Sequence, residues 1–326
     1  MSSQQTMRAW AQLIKSYDEV PDMFKDSFRA LPINPDEFPY VVLTPAYDGF
    51  MRTMRCTPKL VCSLDNQVYV IEKVRNELVA TCYLCENINY VEVGTILLKS
   101  WITISGLTEA GLTASTFKFS AVTLNLFMPI IEKIRRATNQ NKPETDLNSE
   151  LAKFNYLRTV HFKFMNYARQ SIIPGEKVIC TLLQPEIRTK LFKLFNRAFW
   201  RTISASHISI LTDRELVIIR EDQERWVKDT SYGGIWSYVP LNKVRAIALA
   251  ENDDNTLTLS IELPAQDCLQ ARFSDTNKFE VASFLSSFRE LNPALAQPLI
   301  CDQNAQVGTQ NLAPLPGSAL SEYELN

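Results

Sequence analysis

Histidine and glycine are scarce in this chain, with two His and nine Gly among 326 residues. None of the glycines falls in a G-x-G-x-x-G or P-loop pattern, so no phosphate cradle of either kind is expected. There is no G-x-S-x-G and no HExxH, and His161 and His207 stand far apart. No run approaches ~18 uninterrupted apolar residues, which argues against a membrane-spanning helix. The first twenty residues are polar and lack the apolar stretch of a secretory signal. Charge of one sign is also lacking: the net charge is −2 and the sequence pI is about 5.9. A nucleic-acid partner, which calls for a basic excess, is therefore not expected. The seven cysteines (Cys56, Cys62, Cys82, Cys85, Cys180, Cys268 and Cys301) are odd in number and irregular in spacing. They read as reduced thiols of a cytoplasmic protein. Cys82-x-x-Cys85 has ligand-like spacing but no second pair, so it reads as strand thiols and not as a zinc site. No metal or cofactor is expected.

What is present is apolar residue in quantity, 46% of the chain, enough for two cores. Two stretches read as β-hairpins, each an apolar run, a polar corner and a second apolar run. One is 60–72 (LVCSLDNQVYVIE), with its corner at Asp65-Asn66. The other surrounds Thr212-Asp213-Arg214, between Ile208-Ser209-Ile210-Leu211 and Leu216-Val217-Ile218-Ile219. Further strands are expected at 40–44, 78–84, 90–93, 101–105, 116–120, 177–183, 237–240, 244–249, 256–263 and 269–274. Helical spacing is read in 6–28, where Trp10, Leu13, Ile14 and Tyr17 share a face and Pro21 restarts a second helix carrying Met23, Phe24 and Phe28. It recurs in Leu151, Phe154, Leu157, Phe164, Met165 and Ala168.

The order repeats. Phe119-Ser120 falls on Phe273-Ser274, and in step with them Phe127, Ile130, Ile131 and Ile134 fall on Val281, Phe284, Leu285 and Phe288. Both sets form an i, i+3, i+4, i+7 stripe followed by arginine, Arg135 or Arg289. Ile88 and 91–93 fall on Val244 and 247–249, and Asp65 on Asp213. Agreement in order and element type points to an internal duplication. Pro129 inside the first stripe implies a helix that starts late or kinks. Several strands followed by one amphipathic helix imply a small bent sheet with one opening plugged by that helix.

Ile210-Leu211-Thr212-Asp213-Arg214-Glu215-Leu216-Val217-Ile218, followed by Tyr238-Val239-Pro240-Leu241-Asn242-Lys243-Val244, resembles the bacterial pleckstrin-homology (PH-like) pattern. In that pattern an L-T-D-x-x-L hairpin leads to an I-P-L-x-x-I strand start. The first half departs from it: Leu64-Asp65-Asn66-Gln67-Val68 lacks the threonine, and Leu84-Cys85 replaces Pro-Leu. The resemblance implies an α+β fold, mostly antiparallel β, made of two tandem PH-like bent sheets or partly open barrels. Each would be closed by a C-terminal helix and preceded by an N-terminal one. The expected bounds are 1–138 for the first domain with its helical segment 1–31, 139–149 for a linker, and 150–292 for the second domain with its leading helix 150–171. A flexible tail would occupy 293–326. The resemblance also implies a non-enzymatic binding or scaffold module, since such sheets bind peptides by edge or groove contacts; the remaining alternative is an unrecognised enzyme with scattered catalytic residues, which missing motifs do not exclude.

One stretch suggests a contact surface. At 100° per residue, 187–201 (IRTKLFKLFNRAFWR) reads as a helix with an apolar arc and a basic arc of Lys190, Lys193, Arg197 and Arg201, with Trp200 beside them. Arg52, Arg55 and Lys59 occupy the equivalent loop of the first half. These eight residues are the candidate contacts for a protein partner or for an anionic membrane surface.

Overall fold

The computed structural model describes residues 10–33, 37–48, 55–137, 145–194, 197–221 and 233–292. Among them the chain opens with a strand, β1 (Gln12–Ile14), and a helix, α1 (Asp22–Arg29). The helix expected over 6–28 is thus corrected in its first part. Leu13 lies opposite Val42 in an antiparallel pair, and that pairing satisfies the backbone without a helix. The second part stands: α1 follows Pro21 and buries Phe24 and Phe28.

Six strands follow: β2 (Tyr40–Leu43), β3 (Tyr47–Asp48), β4 (Arg55–Cys56), β5 (Lys59–Leu64), β6 (Gln67–Val74) and β7 (Glu77–Leu84). They form a five-stranded sheet in the order β1-β2-β5-β6-β7, with β3-β4 a separate ribbon. A 3-10 turn at Cys85–Asn87 leads to β8 (Ile88–Ile96), β9 (Lys99–Thr108), β10 (Gly111–Ser120) and the helix α2 (Met128–Ala137). Pro129 sits in the first turn of α2, where a missing N–H leaves no hydrogen bond unmade. Cys82 and Cys85 are free thiols, one on β7 and one buried in the 3-10 turn.

A similar order of strands follows. Three short helices come first, α3 (Leu147–Ala152), α4 (Leu157–Val160) and α5 (Phe162–Ser171). The expected linker 139–149 lies outside the described residues up to 144, and its end already belongs to α3, which Asp146 caps by accepting from the amides of Asn148 and Ser149. The strands are β11 (Val178–Gln184), β12 (Ile187–Leu194), β13 (Arg197–Ser204), β14 (His207–Thr212), β15 (Glu215–Arg220) and β16 (Gly233–Pro240). A 3-10 turn at Leu241–Lys243 leads to β17 (Ala246–Asn252), β18 (Thr256–Glu262) and β19 (Cys268–Ser274), and α6 (Lys278–Leu291) closes the described chain. The expected tail lies outside the described residues. Each succession places a two-stranded ribbon, β3-β4 or β12-β13, after its first long strand. The architecture is mostly antiparallel sheet with a few helices.

The hairpin corner at Asp213-Arg214 is held by the threonine before it. Thr212 Oγ1 accepts from the amides of Arg214 and Glu215 and donates to the carbonyl of Glu215. Asp213 serves a different purpose from the turn-forming one its type suggests: its carboxylate accepts from the Lys177 amide, 2.9 Å away, and fastens the corner to the entry of β11.

The two halves share one sheet. β8 pairs with β16, giving the seven-stranded order β10-β9-β8-β16-β15-β14-β11. The pairing runs from Gly233 opposite Ile96 to Tyr238 opposite Val91. Gly233 and Gly234 read in sequence as a loop between strands, but they are the first residues of β16. A Cβ on Gly233 would lie 1.9 Å from the Thr95 carbonyl oxygen, and φ there is +130°. Only glycine allows the strands this approach. Across the junction Arg220 donates to Glu92 at 2.7 Å, and Asp267 accepts from Ser105 at 2.7 Å.

Apolar burial follows the same plan. The interior of the first half (Val70, Ile104, Phe127 and Ile131 among others) is continuous with Phe164, Ile210 and Val217 of the second. A separate core in the second half joins Leu211, Leu259 and Phe273 to the stripe Val281, Phe284, Leu285 and Phe288. A third lies beneath α1. Both stripes expected from sequence are buried.

Candidate functional site

The stretch 187–201 is a β-ribbon and not the expected helix. β12 and β13 pair antiparallel from Ile187 opposite Ser204 to Leu194 opposite Arg197, with register shifts beside Ile187 and after Lys190. The helical arcs therefore do not exist. Side chains alternate between two faces in a strand, so cations that a helix would gather on one side are divided. Lys190 lies opposite Trp200 and shares its face, whereas Arg201 lies opposite Thr189 on the other. Trp200 is 58% exposed, and Lys190 and Arg201 are exposed. Lys193 pairs in backbone with Ala198 and Arg197 with Leu194; their side chains lie outside what the structure describes.

At the base of the ribbon, Arg188 is 2.5 Å from Glu186, and Thr202 donates to Glu186 at 2.6 Å. Burial works against the Glu186 charge, but these two contacts outweigh it and hold the carboxyl below its usual range. The site is thus a two-stranded ribbon that follows β11, with Lys190 beside Trp200 on one face and Arg201 on the other.

The first-half candidates do not form its counterpart. Lys59 opens β5 and is only 14% exposed, its amine 2.5 Å from Glu72 on β6. Arg55 is in β4, opposite Asp48 in backbone, with its side chain outside the described set, and Arg52 lies outside the described residues altogether.

Sequence reasoning missed a second polar centre, buried between the halves. Arg135 on α2 donates through Nε to both carboxylate oxygens of Glu215, at 3.1 and 3.2 Å, and through Nη2 to the Ser171 carbonyl at 2.7 Å. Its guanidinium lies 4.1 Å from the Tyr238 ring centroid and 3.6 Å from Glu176. Arg135 is 3% exposed and Glu215 and Glu176 are each 1% exposed. Two carboxylates thus face one cation in a dry setting. Burial, then the neighbouring Glu215, push Glu176 up to about 9, so it holds a proton at neutral pH. Burial disfavours the Arg135 charge, but Glu215, Tyr238 and Glu176 hold its pKa above the ordinary value. Burial pushes Tyr238 up to about 12. Enclosed in this way, the centre ties α2, α5 and the β15–β16 hairpin together. The only advance signal was that arginine follows the helix stripe.

His207, at the start of β14, is 4% exposed, with its ring 4.9 Å from that of Phe273. Burial lowers its pKa to about 4. No group of three or more histidine, cysteine or acidic residues able to hold a metal occurs among the described residues. No described helix is long and apolar enough to cross a membrane.

No family model and no curated protein matches the chain. Among solved structures it is similar to a DUF1696 family protein with a pleckstrin-homology domain from Shewanella loihica PV-4, at 14% identity and a TM-score of 0.25, over 47% of this chain and 96% of that one. At that score the likeness carries no weight for the fold, which rests on the order and pairing of the strands.

Proposed function

We propose that the chain is a non-enzymatic binding module of two tandem PH-like copies, and that it engages a protein partner through the β12–β13 ribbon. The two-copy reading is supported by the recurrence of four paired strands, a 3-10 turn, three paired strands and a closing helix, with a ribbon inserted at the same place in each half. The observation that carries the binding reading is Trp200, 58% exposed, opposite Lys190 and next to Arg201. A large exposed ring with the Lys190 cation on its face suits an acidic surface bearing an apolar pocket, because tryptophan supplies much of the energy at protein interfaces.

The same ring and lysine favour a second reading, an anionic membrane. Lys190 would contribute about 1 kcal/mol there, short of the roughly 4 kcal/mol of a millimolar complex. The protein reading therefore comes first.

Both are tested with the full chain and a W200A/K190E/R201E variant. On the first reading, the unaltered chain retains a protein from extracts of its source organism and the variant does not. Co-sedimentation with phosphatidylserine vesicles at low salt, lost in the variant, would replace the first reading by the second. Equal behaviour of the two chains in both assays would sink both.

A further inference from the structure

The junction inside the chain joins unlike edges. β8 opens a three-stranded unit after the 3-10 turn Cys85–Asn87, and β16 ends a four-stranded unit before the 3-10 turn Leu241–Lys243. Such a contact is heterologous: it consumes one edge of each kind and leaves one of each kind over. The edges left are β7, which stands to the first half as β16 does to the second, and β17, which stands to the second as β8 does to the first. Both are edge strands in the observed sheets. We propose that β7 of one molecule pairs with β17 of another, so that this chain associates head to tail with copies of itself.

Three observations carry this. The first is the template. Pairing of the two edge types is already made within the chain, over a continuous register with no shift. The second is edge chemistry. Exposed edges are ordinarily guarded by lysine, proline, bulges, shortness or a covering element. β1 has three residues, β10 carries Lys118, β19 carries Arg272, and β11 has a register shift at its start. β7 (ELVATCYL) and β17 (AIALAEN) contain no lysine, arginine or proline, and each pairs without a shift to its one neighbour. Val79 is 41% exposed, and Ala80 and Ala250 are exposed. The two least guarded edges are thus the two that the template makes complementary.

The third is the register that follows when the 3-10 turns are superposed. Tyr238 opposite Val91, Ser237 opposite Glu92, Trp236 opposite Val93 and Ile235 opposite Gly94 become Cys82 opposite Ile247, Thr81 opposite Ala248, Ala80 opposite Leu249 and Val79 opposite Ala250. Each is a small or apolar pair without charge. The match ends there, because Glu77 stands where Gly233 makes its close approach. Four central pairs, with Gln67 standing where Glu215 does, make a weaker contact than the internal one, so it is concentration-dependent.

The inference takes its register from the two-copy reading and is independent of the β12–β13 ribbon. It is tested by sedimentation velocity on the full chain across concentration, with substitutions at Val79 and Ala250. The unaltered chain associates. V79K alone and A250K alone each weaken association several-fold, V79K/A250K weakens it about tenfold or more, and V79K/A250E restores it, since opposed charges across a strand pair attract and like charges repel. Rescue also shows that the substituted chain folds. W200A associates as the unaltered chain does, which keeps a failed ribbon site distinct from a failed edge. A chain that stays monomeric at all concentrations overturns the proposal. So does association that V79K abolishes while A250K leaves it intact, which would be β7 pairing with β7.

Discussion

Arg135 and Arg289 each follow an apolar stripe on a helix, and they lead opposite lives. Arg135 is enclosed by Glu215, Glu176, Tyr238 and the Ser171 carbonyl, whereas Arg289 is exposed near the end of α6. The side chains are chemically identical. What differs is that the second half packs on the end of α2 and supplies the carboxylates. Two arginines in like sequence positions therefore share a role only where their surroundings are alike.

The largest effect expected from this contrast is on stability. Arg135→Met leaves the Glu215 carboxylate buried without its cation and should cost about 3–5 kcal/mol. Arg289→Met should stay within about 0.5 kcal/mol. Urea denaturation of the two variants checks this, and equal losses would break the comparison.

A smaller effect sharpens it through pH. Glu176 is held near 9 against an ordinary 4.5. Between those values the folded chain keeps a proton that the unfolded chain has lost, so stability falls as pH rises through the window, by at most about 1.4 kcal/mol per unit. His207 acts in the opposite sense and lower down. With its pKa near 4 against 6.5, the unfolded chain takes the proton first, so stability falls as pH drops from 6.5 toward 4. The two slopes oppose each other below 6.5, and above it Glu176 acts without that opposition. Glu176→Gln should flatten the decline between pH 7 and 9 in thermal melts, while Arg289→Met should leave the slope as it was.

The smallest effect concerns the ribbons. Trp200→Ala should change stability by no more than about 0.5 kcal/mol, because the ring is more than half exposed. A larger loss in the same urea titration would make Trp200 a packing residue and remove it as a contact.

Much of the architecture was legible in the residues. The hairpins around Asp65-Asn66 and Asp213-Arg214, the later strands, α1 after Pro21 and both closing stripes follow from local periodicity and turn chemistry. Two readings failed for one reason. In 6–28, residues 10, 13, 14 and 17 fit a helical face, and in 187–201 cations and apolar residues fit helical arcs, yet both Gln12–Ile14 and Ile187–Leu194 are strands. Short mixed runs satisfy either period, and the available pairing partner decides between them. Of the candidate site, Lys190, Trp200 and Arg201 are exposed. The helix meant to hold them together does not form, and Lys59 is taken up by Glu72.

By itself the sequence determined where strands turn, which faces are apolar and that the order of elements recurs, because these depend on residues a few positions apart. Only the tertiary structure decided that β8 takes β16 as its neighbour, that Gly233 marks a close approach and not a loop, and that Arg135 but not Arg289 is buried among carboxylates. A strand edge accepts whichever backbone reaches it, and the cost of a charge depends on what surrounds it; both are set by residues far apart in the chain.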